Sequence, residues 1–247
     1  MTSSLLHLVG TINGGDGNDT ITVSAAAGAV NINGGSGNNT ITANAAATIT
    51  GGNDVDTIYL KAGGSVDGGA GADKIYVSGS GAATIKGGDD ADTIDASAAT
   101  GAVTIEGGAG NDTISLGSGA DVVKFTSASS ADANTITNFT VANDKLSFDG
   151  TVFAGSKSAT DVTTATNQLE ITANKIYVGT KANIQSLKGA SSATNNTYVA
   201  VVTSGDGVGE IYAVADTNNS ATATTTLIGT IDNVENLAFT NFGFFTA

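Results

Sequence analysis

The sequence predicts an all-β chain, a parallel β-solenoid followed by a capping C-terminal β domain. Three observations carry that prediction. A Gly-Gly pair recurs six times in the first half at a near-constant interval, and the residues between the pairs alternate apolar and polar with a period of two. The composition is extreme, with 34 glycines in 247 residues and no proline, cysteine or tryptophan. A repeat of about 20 residues marks a solenoid, in which a unit too small to bury its own apolar face stacks on its neighbours.

The N-terminal stretch, residues 1–13, reads as a strand that forms one edge. Its apolar core, Leu5 to Val9, is short, interrupted by His7 and preceded by no basic residue. It therefore lacks the shape of a secretory signal, and no run of about 18 apolar residues predicts a membrane helix anywhere in the chain.

The repeats occupy residues 14–123. They read GGDGNDTIT from Gly14, GGSGNNTIT from Gly34, GGNDVDTIY from Gly51, GGAGADKIY from Gly68, GGDDADTID from Gly87 and GGAGNDTIS from Gly107. A degenerate seventh copy, GSGADVV, begins at Gly117. The first six pairs are spaced 20, 17, 17, 19 and 20 residues apart. After each loop comes one apolar column (Ile21, Ile41, Ile58, Ile75, Ile94, Ile114) with partners two residues on (Val23, Ala43, Leu60, Val77, Ala96, Leu116). A second column precedes each pair: Ile12, Ile32, Ile49, Val66, Ile85 and Ile105. Two-residue alternation is the signature of a strand with one face inward, so each coil holds two short strands. Stacked coils then give two parallel sheets around a thin aliphatic ladder. Each ladder residue contributes roughly 1.5–3 kcal/mol on burial, against about 1–2 kcal/mol per residue for ordering the backbone. The ladder needs help.

The loops offer it. Each ends on an acid or amide at a fixed offset: Asp19, Asn39, Asp56, Asp73, Asp92, Asp112 and, in the degenerate copy, Asp121. The net charge is −14, and acids and bases stand at 23 against 9, with lysine the only base. Nineteen of the acids are Asp, a bias that solvation alone would not produce. Carboxylates stacked a coil apart repel unless a cation lies between them. A hard dication with oxygen ligands fits, and Ca2+ fits better than Mg2+ where flexible backbone carbonyls supply most donors. Five such ions would bring about +10 against the −14. A metal-free solenoid with ordinary Gly/Asp turns is the alternative, though turning alone does not call for Asp at one fixed offset. Such a charge balance excludes a nucleic-acid surface, and the lack of cysteine excludes disulfides and thiolate zinc sites.

These loops resemble the nonapeptide GGxGxDxUx of the RTX (repeats-in-toxin, haemolysin-type) calcium-binding β-roll, a pattern known to bind calcium. The resemblance covers about half the chain. It implies several Ca2+ ions held between successive loops, with Asp19, Asn39, Asp56, Asp73, Asp92, Asp112 and Asp121 as side-chain ligands. The loop glycines that would turn carbonyls to the ions are Gly14, Gly17, Gly34, Gly37, Gly51, Gly68, Gly71, Gly87, Gly107 and Gly110. Three departures stand out. The alternate half-turns (25–29, 44–47, 97–101) are rich in small residues without the motif, which predicts ions along one edge. Asn39 replaces Asp, weakening the second loop's site. Asp54 and Asp90 stand where the pattern has a fourth-position glycine.

Residues 124–150 are similar to the stretch that follows the β-roll in serralysin-type and related type I-secreted proteins. They supply the large apolar side chains Phe125, Ile136, Phe139, Leu146 and Phe148 that a roll-capping segment requires. Asp144 reads as a solvated turn residue, with ligation of a further ion as the alternative. Residues 151–247 read as a C-terminal β domain with strands near 168–172, 175–178, 198–203, 210–215, 225–231 and 237–240. A hairpin is expected at SGDGVG (204–209) and a short helix at 182–187. The end, NVENLAFTNFGFFTA from Asn233, carries Phe239, Phe242, Phe244 and Phe245. It resembles the uncleaved C-terminal signal of type I secretion substrates and reads equally as a final strand.

No HExxH or GxSxG is present, and His7 is the only histidine. Acidic pairs such as Asp54/Asp56 and Asp90/Asp92 recur with the repeat and point to ions rather than to glycosidase carboxylates. The expectation is therefore a non-enzyme. The leading reading is a secreted, calcium-dependent structural protein that self-assembles outside the cell as an S-layer, sheath, filament or matrix component. The chain starts with Met and enters the first repeat at residue 14, a start that points to this reading, and the resemblance extends to the assembly domains of bacterial S-layer proteins. Its partners would be copies of itself, the type I secretion machinery and a cell-surface polysaccharide, with no nucleic acid and no membrane span. A second reading is a folding and export module of a larger RTX adhesin, toxin or enzyme. A third is an ice-binding solenoid built on Thr20-x-Thr22 and Thr40-x-Thr42, whose columns Tyr59, Lys74, Tyr76 and Asp95 interrupt.

Overall fold

The computed structural model describes residues 2–6, 10–25, 28, 30–149, 151–153, 161–164, 175–179, 197–203, 208–215, 224–232 and 242–245. Nearly all of the regular structure is β, with one short 3-10 turn at Ser130–Asp132. No helix among the described residues is long and apolar enough to cross a membrane. The chain divides into two compact units, Met1–Val123 and Lys124–Ala247.

The first unit is the solenoid. One sheet stacks Thr2–Leu6, Thr20–Ala25, Thr40–Ala43, Thr57–Leu60, Lys74–Gly79, Thr93–Ala99 and Thr113–Ser115 in that order. The other stacks Gly10–Asp16, Val30–Ser36, Ala47–Gly52, Gly64–Ala70, Ala83–Asp89 and Val103–Gly108. Every pairing within each stack is parallel, and across most of them the core isoleucines meet in register. Ile21 faces Ile41, Ile41 faces Ile58 and Ile58 faces Ile75 across one sheet, while Ile12–Ile32–Ile49–Val66–Ile85–Ile105 run across the other.

Register follows from the period. A one-residue slip would turn each isoleucine outward and each threonine inward. Both expected apolar columns are buried, and so is a further one in the second sheet, Val30, Ala47, Ala83 and Val103. Outside, Thr20, Thr40, Thr57, Lys74, Thr93 and Thr113 form one column. Tyr59 and Tyr76 stack with ring centroids 5.0 Å apart in the next.

The edge opposite the glycine loops closes through backbone bonds between coils. Asn44 N–H donates to Val23 O, Lys61 N–H to Ala43 O, Thr100 N–H to Gly79 O and Ser118 N–H to Ala99 O. Small residues suffice there because main-chain donors and acceptors meet directly.

In the second unit, Asn134–Thr137, Thr224–Asp232, Val208–Ala215, Thr197–Thr203, Lys175–Gly179 and Asp161–Thr164 lie side by side in that order. The hairpin expected around 204–209 is present as antiparallel pairing of Thr197–Thr203 with Val208–Ala215. Its flanks mix parallel pairs (Asn134 with Gly229, Asp161 with Lys175), an order the sequence did not suggest. Lys145–Asp149 pairs in parallel with Phe242–Phe245, so part of the aromatic terminus is a strand. Phe125 stacks on Phe148 at 5.0 Å and Phe153 meets Phe148 edge-on at 5.3 Å, in a core with Ile136, Phe139 and Leu146. Asp144, expected to be solvated, is buried in its turn and accepts the Thr140 N–H at 2.7 Å. His7, the helix expected at 182–187, the runs 168–172 and 237–240 and residues 233–241 lie outside the described residues.

Candidate metal centre: a column of buried carboxylates

The inward alternation of the second sheet continues into the loop. In Val30–Ser36 the inward positions are Val30, Ile32 and Gly34. The third position of each such strand is the first glycine of the pair, and it has no side chain to offer the core. The end-of-loop residue fills that space. A methyl group built on Gly51 would lie 2.5 Å from Asp56 Oδ2, and one on Gly68 would lie 2.5 Å from Asp73 Oδ2. The first glycines do not have positive φ, so they are there for room and not for turning. Turning falls to the second and fourth positions: φ is 109° at Gly69 and 114° at Gly71. At the fourth position Asp54 (φ 70°) and Asp90 (φ 72°) hold the same left-handed conformation without glycine. Short polar side chains tolerate that region better than others.

Asp19, Asn39, Asp56, Asp73, Asp92 and Asp112 therefore line up, one per coil, on one edge, and all six are buried. A repeated pair of bonds locks them. The Oδ1 atom of each accepts the backbone N–H of its counterpart in the preceding coil: Asp19 to Asn39 at 3.0 Å, Asn39 to Asp56 at 2.7 Å, Asp56 to Asp73 at 2.7 Å, Asp73 to Asp92 at 2.8 Å and Asp92 to Asp112 at 2.9 Å. Their backbone carbonyls accept from the next coil, as in Lys74 N–H to Asp56 O and Thr93 N–H to Asp73 O, both 2.9 Å.

Asp121 does not join them. It lies on the opposite edge, where its Oδ1 accepts Val103 N–H at 2.8 Å and its Oδ2 accepts Gly117 N–H at 3.0 Å. The bond to Val103 takes the place of the carbonyl that serves the matching donor one coil earlier, Ala83 N–H to Ala102 O. The degenerate copy is thus a capped turn on the other edge. An offset counted along the chain does not report which edge the loop reaches.

The column has an electrostatic problem. Oδ2 of Asp56, Asp73 and Asp92 is buried with no hydrogen-bond partner, and an ionised oxygen in that state is costly. Burial is the main force that pushes the Asp73 and Asp92 carboxyls up to about 7, and it raises Asp56 as well. Neighbouring charges add to it: Asp56, Asp67 and Asp90 around Asp73, and Asp112, Asp73 and Asp90 around Asp92. The N–H bonds from the preceding coil pull the other way without prevailing.

Either a proton or a cation resolves the conflict. Among the described residues no group of three or more acidic, histidine or cysteine side chains gathers at one point. The donor set is one carboxylate per coil plus loop carbonyls, oxygen-only and carbonyl-rich, which suits Ca2+. The residues present fit the ion: the buried Oδ2 atoms of Asp56, Asp73 and Asp92 have no hydrogen-bond partner, and they end loops whose fourth residue is left-handed.

A pH prediction follows for the calcium-free chain. The two carboxyls titrate near 7 when folded and near 3.8 when unfolded, so the folded state binds more protons between those values. Their stabilisation is complete below about pH 3.8, declines above it and is lost as pH rises through about 7. Thermal melts in chelator should show a lower midpoint at pH 8 than at pH 5. A flat or rising profile would refute the buried-carboxylate account.

Comparison with known families agrees with the geometry. The family model of the RTX calcium-binding nonapeptide repeat matches in four copies, at residues 11–25, 22–47, 77–100 and 96–123. No curated protein and no solved structure matches the chain significantly. The loops at Gly51 and Gly68 fall between the matched copies, yet their pairing, glycine packing and carboxylate bonds repeat those of their neighbours. Buried aspartates at one edge, left-handed glycine loops and coils stacked in register, together with the four matched copies, make the first unit an RTX β-roll whose repeats are calcium-binding.

Proposed function

We infer that the chain is a secreted, calcium-dependent structural protein that assembles with copies of itself outside the cell, its roll folding as calcium binds after type I export. The observation that carries this reading is the run of buried, partnerless carboxylate oxygens at Asp56, Asp73 and Asp92. A roll with that feature is poorly stable where calcium is scarce and gains stability where it is abundant, because a ligand that binds only the folded state shifts the equilibrium by mass action. The interior of the roll is otherwise spent on aliphatic packing.

Self-assembly has a physical basis in the sheet ends. Among the described residues, Thr2–Leu6 and Gly10–Asp16 each pair on one side only, with Thr20–Ala25 and Val30–Ser36. Their other sides present rows of backbone donors and acceptors, the template for strand addition from another subunit. Electron microscopy of the purified chain with and without calcium tests the reading. An ordered lattice or fibre that forms in calcium and disperses in chelator is expected. Monodisperse particles in both conditions would overturn assembly and favour a non-catalytic folding and export module of a larger RTX protein.

A further inference from the structure

One position in the column breaks the pattern, and it does so with a complete set of bonds. Asn39 is as buried as the aspartates, at 2 % exposure. Its Oδ1 accepts Asp19 N–H at 3.0 Å, and its own N–H donates to Asp56 Oδ1 at 2.7 Å, so the inter-coil ladder passes through it unbroken. The difference lies at the second side-chain atom. Nδ2 donates to the Gly37 carbonyl, two residues earlier in the same loop, at 2.8 Å. That nitrogen occupies the place of the carboxylate Oδ2: it lies 2.7 Å from a methyl built on Gly34, just as Asp19 Oδ2 lies 2.7 Å from one built on Gly14. A flipped amide would set NH2 against the Asp19 N–H and oxygen against the Gly37 carbonyl, two repulsive contacts in place of two hydrogen bonds. Only one orientation satisfies the site.

The fourth residue of every loop is left-handed, so its carbonyl belongs to the same architecture throughout. Where the side chain is Asp, an oxygen stands where Asn39 presents a donor, and a proton or a cation is needed between that oxygen and the loop. Where it is Asn, the donor is built in.

We propose that the Asn39 carboxamide is an internal replacement for a bound cation, so that the second loop closes without calcium and separates the Asp19 loop from the continuous calcium-binding run that starts at Asp56. The proposal rests on the calcium reading above and adds to it a fixed assignment of which coil goes without an ion. The second coil is then a calcium-independent rung, ordered by its own side chain, against which the third coil can form before ions arrive.

Calcium binding to the full chain, measured by isothermal titration calorimetry with CaCl2, and thermal melts in chelator provide the test, with two reciprocal variants. N39D is expected to bind one more calcium ion per chain than wild type and to melt at a lower temperature in chelator, since a donor has become a buried charge. D56N is expected to bind one fewer ion and to melt at a higher temperature in chelator. Unchanged stoichiometry in N39D, or a D56N chain that melts lower than wild type in chelator, would overturn the proposal. Wild-type protein that binds no calcium at all would overturn the functional reading as well, a result distinct from either.

Discussion

Chelating calcium should lower the thermal midpoint of the roll's strand signal in far-ultraviolet circular dichroism by tens of degrees at neutral pH, and excess calcium should restore it. Each site held at 100 times its dissociation constant adds about 2.7 kcal/mol to the folded state. Four such sites would add about 11 kcal/mol, comparable to the 5–15 kcal/mol that separates a typical domain from its unfolded state. The interior the ions would support is thin. Its inward positions are single isoleucines, valines, leucines and alanines, and no aromatic ring is buried among the described residues of the first unit. At neutral pH the carboxyls of Asp73 and Asp92 sit close to their midpoint, so protons satisfy them only in part. A roll that melts at the same temperature in chelator and in calcium at pH 8 would show that the aliphatic ladder suffices alone, and the role given to the carboxylate column would fall.

The second large effect concerns a residue whose importance lies in what it lacks. Gly68→Ala should destabilise the calcium-bound roll by about 3 kcal/mol and reduce its calcium stoichiometry. The added methyl would meet Asp73 Oδ2 at 2.5 Å and press on the Gly87 carbonyl of the next coil. Neither neighbour can retreat: Asp73 is held through Oδ1 by the Asp56 N–H, and Gly87 belongs to the strand Ala83–Asp89. Gly15→Ala is the control. Gly15 has a φ of 97° and nothing within 4 Å of the added carbon, so only the backbone cost of about 1 kcal/mol applies. Urea denaturation in saturating calcium compares the two. Equal losses would mean that loop conformation, and not the space beside the carboxylate, governs the site.

Much of the roll was legible in the sequence because it is written as a period. Two isoleucine columns, one glycine-rich edge and the offset that ends on Asp19, Asp56, Asp73, Asp92 and Asp112 are all local patterns repeated in register, and the structure stacks them coil on coil. What escaped was whatever depends on the third dimension. The first glycine of each pair looked like a turning residue, whereas its place in the strand alternation makes it the missing member of an inward column. Asp121 shares the offset but reaches the other edge, because the turn that carries it leads from the first sheet back to the second. Asn39 read as a weakened ligand until its amide was seen to satisfy both neighbours. The second unit has no repeat to align, and its mix of parallel and antiparallel neighbours follows from long-range pairing, such as Asn134 with Gly229, for which adjacent residues give no signal.

The bonds along the carboxylate column all lean the same way. Within the column, each Oδ1 reaches back to the amide of the coil before it. The solenoid is therefore a vector. Trimming coils from its head takes a backbone acceptor from the coil left behind, as losing Asp56 O would from the Lys74 N–H, whereas cutting between Asp73 and Asp92 takes a side-chain acceptor and leaves the Asp73 amide stranded. A roll shortened at either end therefore leaves an amide to be capped, that of the first strand residue at the leading end and that of the loop carboxylate residue itself at the trailing end.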